Sequence, residues 1–190
     1  MRTCYIGGGM VLLGWLLSSS VQAQDKVYAC TYTDKHSGTL EQLSRCARNE
    51  KGKWHFLSDL FASSVRMDNG LVWAALMVQG KAEQDPDYYI KPNGEMLSVI
   101  RFDNGPDGFS EGLVRSRAQG KIGYFDAQFR QVIPRQFDFA WSFEQGKALV
   151  CNGCKPQREA GGEHTMMVGG DWFYIDRTGK RISEIQHRPF

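Results

Sequence analysis

The chain has 190 residues, 23 of them basic and 21 acidic, for a formal net charge of +2. That length fits one domain. A balance this even, with no basic cluster interleaved with aromatics, argues against a nucleic-acid surface.

The amino-terminal segment sets the compartment. Met1-Arg2-Thr3-Cys4 carries one basic charge and precedes an apolar run from Tyr5 to Leu17, then Ser18-Ser19-Ser20-Val21-Gln22-Ala23. This is the layout of a secretory signal, so residues 1–23 are predicted to be a signal peptide cleaved after Ala23. The alternative is a retained anchor, but the run is shorter than the roughly 20 residues a spanning helix needs. Cys4 lies before the apolar run, so it is not a lipid-attachment site at the cleavage point. The expectation is a periplasmic or secreted chain with no stable membrane insertion once the signal is removed. Residues 24–190 then form a single domain, and losing Arg2 brings its charge closer to neutral.

Residues 24–48 lie outside the pattern that follows and are expected to form a small irregular or helical cap. Within them Thr39-Leu40-Glu41-Gln42-Leu43 reads as a short helix or as the chain end that caps the array. From 49 to 190 the chain repeats itself. Phe109-Ser110-Glu111-Gly112-Leu113 leads to Gly120-Lys121-Ile122-Gly123-Tyr124-Phe125-Asp126, then to Val132-Ile133-Pro134 and Phe137-Asp138-Phe139-Ala140. Phe143-Glu144-Gln145-Gly146-Lys147-Ala148-Leu149-Val150 begins the phrase again, and Gly170-Asp171-Trp172-Phe173-Tyr174-Ile175-Asp176 completes it. Weaker copies lie at Gly70–Leu76 with Asp87–Glu95, and at Gly52–Ser58. Leu57, Ile90, Phe125 and Ile175 align with a period of about 35 residues, broken by an insertion near 152–169.

A repeated unit cannot bury its apolar face alone and must stack on copies of itself. Two short strand patterns per unit, separated by turn signals, predict an all-β fold of three to four stacked antiparallel hairpins. Trp54–Leu57, Tyr88–Ile90, Tyr124–Asp126 and Trp172–Asp176 are each expected to open a hairpin. Lys91-Pro92-Asn93-Gly94 and Asp176-Arg177-Thr178-Gly179 carry turn residues, with glycine where the chain goes left-handed. In Asp126-Ala127-Gln128-Phe129 that glycine is Phe129, which implies another geometry or strain. Tyr88, Tyr124 and Tyr174 are expected to pack between units.

Cys30, Cys46, Cys151 and Cys154 remain after processing, an even number that in an exported chain reads first as disulfides. Of three possible pairings, closeness in sequence favours Cys30 with Cys46 and Cys151 with Cys154. A zinc site would need two close pairs, which Cys30 and Cys46 do not supply. A redox-active Cys151/Cys154 would need a helix amino terminus, whereas Lys147–Val150 reads as a strand and Pro156 follows.

These phrases resemble the bacterial WG-repeat family, in which F-x-E-G-x-A is followed by K-W-G-Y-I-D, a glycine turn, V-I-P and an aromatic-Asp pair. The resemblance covers most of Gly70–Ile182. The Trp-Gly pair that names the family is divided here: Ile122-Gly123 keeps the glycine, whereas Trp172-Phe173 and Trp54-His55 keep the tryptophan. The resemblance implies a β-rich repeat architecture and brings no catalytic residues with it.

Gly108-Phe109-Ser110-Glu111-Gly112 matches the hydrolase nucleophile elbow, and His164 and His187 follow it. Yet Ser110 sits in the repeat's own phrase, which Phe143–Gly146 repeats without serine. Asp103–Gly108 is oxygen-rich, but Gly105 takes the third ligand position of a calcium loop, so a solvated turn is expected. His36, His55, His164 and His187 show no zinc spacing. No metal, cofactor or catalytic residue is predicted. The expected role is a non-enzymatic interaction protein for another protein or an envelope component. One specific form is a periplasmic immunity or inhibitor protein against a secreted toxin, and the alternative class is an enzyme using Ser110 or Cys151/Cys154. Trp141, in a loop between repeats, is the candidate partner contact, flanked by Arg135 and Arg117.

Overall fold

In a computed structural model the chain is described over residues 26–50, 53–56, 67–68, 70–77, 86–103, 105–158 and 165–187. Among these residues there is no helix, and every strand pairing is antiparallel. The amino-terminal strands are β1 (Lys26–Thr33), β2 (Leu40–Glu50), β3 (Lys53–Phe56) and β4 (Met67–Asp68). They are followed by β5 (Leu71–Met77), β6 (Asp87–Ile90), β7 (Met96–Val99), β8 (Arg101–Phe102) and β9 (Gly105–Pro106). The next strands are β10 (Leu113–Ala118), β11 (Lys121–Asp126), β12 (Gln131–Phe137), β13 (Phe139–Ala140) and β14 (Lys147–Asn152). The last are β15 (Lys155–Arg158), β16 (Thr165–Val168), β17 (Asp171–Asp176) and β18 (Gln186–His187).

The repeating unit is a three-strand meander rather than a two-strand hairpin, because the strand ahead of each predicted hairpin, β5, β10 or β14, also pairs with it. It occurs as β5-β6-β7 and β10-β11-β12, and as β14-β17 closed by a bridge from Ile175 to Arg181. Its turns match bond for bond. Gly94, Phe129 and Gly179 donate to the carbonyls of Lys91, Asp126 and Asp176, each at 2.9 Å. Phe129 therefore keeps the glycine geometry, with φ 61°. Its ring is held under the Lys91 ammonium, 4.6 Å from the centroid, and packs beside Val114 and Phe125. The turns at Phe109–Gly112 and Phe143–Gly146 are equally alike: Glu111-Gly112 and Gln145-Gly146 all have positive φ, as a two-residue hairpin turn with the native strand twist requires.

Strand alternation gives each meander two faces, and both faces of the second are buried between units. Leu97, Val99 and Tyr89 of the first meet Val114 and Phe125 of the second. Ile122, Tyr124, Ile133 and Phe137 from the second's other face meet Ala148, Val150, Phe173 and Ile175 of the third. Stacked sheets with a core at each junction are what the repeat predicts.

The expected irregular or helical cap is instead, over its described residues 26–48, the hairpin β1–β2, so 40–43 is strand. The hairpin carries a bulge: the register steps from Tyr28↔Ala47 to Cys30↔Leu43, which lets Leu43 and Cys46 share one apolar cluster though three residues apart. β1 also pairs with β5, joining β3-β2-β1-β5-β6-β7 into one sheet. β3 lies beside β2 as β11 lies beside β10, while Leu57 is outside the described residues. Residues 1–25 are also outside them, and with them the predicted signal and Cys4.

Cys30 pairs with Cys46 across β1–β2, and Cys151 pairs with Cys154, with Cα separations of 5.9 and 6.1 Å. Where β10 and β11 are joined through Gln119-Gly120, β14 and β17 are separated by residues 153–170, within which β15 pairs with β16. Met167 of β16 packs on Cys151, Cys154 and Trp172, so this ribbon lies over part of the third meander's outer face.

Candidate functional site

Beside the part of that outer face nearest Lys147 lies an open groove of about 760 Å³. Trp141, Phe102, Leu149 and Tyr174 give it apolar walls, and Ser110, Glu144 and Lys147 add polar groups. A pocket with a few convergent polar groups on aromatic walls suits ligand capture.

Trp141 is held there from both sides. Its N–H donates to the Leu149 carbonyl at 2.9 Å, and its own carbonyl accepts from the Tyr124 hydroxyl at 2.6 Å. Its ring meets Phe139 edge-on at 5.3 Å between centroids, and the residue stays 44% exposed. Burial raises the Tyr124 pKa, so the phenol stays protonated and able to donate. The other bare aromatic is Phe102, 52% exposed, whose ring covers the Arg115 guanidinium at 5.2 Å.

Neither arginine expected to flank Trp141 is among the groove's lining residues. Arg135 stacks on Phe125 at 4.3 Å and donates to Ser116 Oγ at 2.7 Å, toward the first meander, and burial lowers its pKa. By alternation Arg117 shares a face with Arg115, Ile122 and Tyr124 instead. Arg135 leaves the Ile133 and Phe137 side because β12 bulges: its register on β11 steps from Ile122↔Phe137 to Tyr124↔Ile133.

Two motifs resolve into structural roles. Ser110 opens a strand-to-strand turn rather than a strand-to-helix elbow, and its Oγ donates to the Phe143 carbonyl at 2.6 Å. Asp107, expected in a solvated turn, is buried with Arg115, 2.6 Å from its Nη2. Arg115 Nη1 also donates to the Ala140 carbonyl, so the pair fastens the loop that carries Trp141. Burial charges of this kind need the full set of partners seen here. Sequence reading missed Phe102, Tyr174, Lys147 and Leu149. The signal available was position: Tyr174 belongs to the third copy of a phrase whose earlier tyrosines meet a following turn, and no such turn follows among the described residues.

Among the described residues no group of three or more His, Cys, Asp or Glu is arranged to hold a metal, and no helix is long and apolar enough to cross a membrane. His36 is exposed, His55 lies 3.6 Å from Glu50 and His187 lies 2.8 Å from Asp171, while His164 is outside the described residues.

Stacked β meanders, with an aromatic groove beside the third, define a β-repeat protein. A family model described as the WG containing repeat matches residues 122–155, from β11 through the start of β15, one period of the stack. The match covers under a fifth of the chain and marks that period as similar to a WG-type repeat. Neither a curated protein nor a solved structure matches it.

Proposed function

We propose that this is an exported, non-enzymatic interaction protein whose groove at Trp141 recognises another protein. The observation that carries the reading is the display of Trp141: the backbone is fixed at both its N–H and its carbonyl while the indole stays open. A rigid, exposed tryptophan ordered before binding loses little entropy on association and is a frequent energetic anchor. Paired cysteines are compatible with an oxidising compartment. Immunity or inhibition of a secreted toxin is one form of the role. Tagged protein is to be used to capture partners from envelope extract, with mass spectrometry to identify them and Trp141→Ala as the comparison. The expected result is an unchanged Tm with capture reduced about tenfold, the scale of one interface anchor. Binding that survives the substitution sinks the groove reading.

A further inference from the structure

The two internal junctions contain one repeated contact. At the first, Tyr89 meets the Phe109 ring at 5.2 Å and its hydroxyl donates to the Asp107 carbonyl at 3.0 Å. At the second, Tyr124 meets Phe143 at 4.8 Å and donates to the Trp141 carbonyl at 2.6 Å. In both, the accepting carbonyl lies two residues before the phenylalanine, and that phenylalanine begins an equivalent turn, Phe109-Ser110-Glu111-Gly112 or Phe143-Glu144-Gln145-Gly146. Each meander thus offers a tyrosine socket that receives the next unit's turn as ring plus carbonyl.

Tyr174 occupies the same position in the third meander. Its strand register proves the equivalence: Leu149 lies opposite Tyr174 as Arg115 lies opposite Tyr124. Here no further Phe-x-Glu-Gly turn follows among the described residues. Tyr174 and Leu149 line the groove, with the Lys147 ammonium 5.0 Å above the tyrosine ring. The insertion ribbon covers the other end of this face, at Cys151 and Trp172.

We infer that Tyr174 is an open socket for an aromatic turn of a partner protein. This rests on the groove reading above. The partner places a ring against Tyr174 and gives a peptide carbonyl, two residues earlier, to its hydroxyl. Continuity with the stack selects a polypeptide, because the chain fills the same socket twice with its own backbone. A second copy of this chain fits less well: both turns among the described residues, at Phe109 and Phe143, are already engaged. Lys147 and the socket are separated from Arg135 and Arg117, so specificity comes from ring and backbone, with Lys147 favouring an acidic residue such as the glutamate of the native phrase.

The probe is a cyclised peptide with the sequence of Asp107–Arg115, titrated to millimolar concentration into isotope-labelled protein and followed by amide NMR. Expected are saturable shifts around Leu149 and Tyr174, and at least about tenfold weaker binding when the peptide's phenylalanine becomes alanine. Tyr174→Phe should weaken binding about fivefold, the loss of one neutral hydrogen bond, and Leu149→Arg should abolish it. Absence of shifts at millimolar peptide overturns the inference, as does binding indifferent to Tyr174→Phe. A concentration-dependent dimer broken by Leu149→Arg would make the occupant a second copy, and shifts with chito-oligosaccharide in place of the peptide would make it a glycan; either overturns it. Partner capture lost in Trp141→Ala but kept in Tyr174→Phe and Leu149→Arg overturns the socket and leaves the groove reading standing. Peptide binding at Tyr174 with capture unaffected by Trp141→Ala does the reverse.

Discussion

A single methyl group tests the packing of Gly123. A Cβ built there would lie 2.5 Å from the Ile133 carbonyl oxygen and 2.7 Å from the Arg135 nitrogen and the Pro134 carbonyl carbon. All three are backbone atoms of the bulged strand β12, which lies across this glycine, so no side chain can rotate away. Gly123→Ala is expected to cost about 3 kcal/mol, at the upper end for overpacking, because β12 must move as a unit. Gly120→Ala, in open space but at φ 75°, should cost closer to about 1 kcal/mol. Urea midpoints of the two variants check the order, and a smaller loss at Gly123 would contradict the bulge. Gly123 is also the half of the Trp-Gly pair that this copy keeps, and the close approach of β12 gives a physical reason for glycine there. The repeat phrases were legible in the sequence down to this residue. What the glycine makes room for was not, since the bulge depends on how Val132-Ile133-Pro134 pairs with β11. For the same reason the side taken by Arg135 could not be read from alternation, which puts it with Ile133 and Phe137.

At the scale of elements, the junctions are held by a few buried polar links. Asp107 accepts from the Arg115 backbone N–H and from its guanidinium, while Arg115 reaches on to Ala140. Removing one partner leaves the other charge buried and unpaired. Asp107→Ala should therefore destabilise by about 3–5 kcal/mol, and replacing both residues with apolar ones should cost clearly less than the two single changes together. A double-mutant cycle on unfolding free energies tests this, and simple additivity would show the pair to be uncoupled. Tyr124→Phe removes only the bond to Trp141 and should cost about 1 kcal/mol, leaving the ring contact with Phe143 in place. The sequence announced Tyr88, Tyr124 and Tyr174 as packing residues; Tyr88 and Tyr124 are buried, whereas Tyr174 faces the groove with no unit packed on it among the described residues. It did not announce the hydroxyl bond, because the acceptor lies 17 residues away and is a main-chain atom with no side-chain signature. The β1–β2 hairpin was not legible as strand because it lies outside the repeat phrases, so no equivalent copy marked it, and a bulge interrupts its pairing.

Across the whole molecule, stability should depend on acid conditions through aspartates that bridge units and close turns. Asp138 joins the second and third meanders, accepting from the Lys121 ammonium at 2.6 Å and from the Gly153 N–H at 2.7 Å. Burial by itself would raise its pKa, but those two donors and the Lys121 charge outweigh it and hold the carboxyl below its ordinary value of 3.8. Asp126 behaves likewise: burial works upward, and bonds from Arg130 and Gln128 bring it below that value. In the turn of the third meander, Asp176 is lowered first by the Thr178 hydroxyl. A carboxylate whose folded pKa is depressed contributes stability above its unfolded pKa, and that contribution disappears as pH falls through the folded one. Urea midpoints should therefore be level down to about pH 4 and fall steeply below it. Asp138→Asn should lower the midpoint at neutral pH and flatten part of the acid slope, because the ion pair with Lys121 is gone while an amide oxygen can still accept from Gly153. A variant with the wild-type acid profile would show that Asp138 does not bind the units together, and the Lys121 and Gly153 contacts would then be surface decoration.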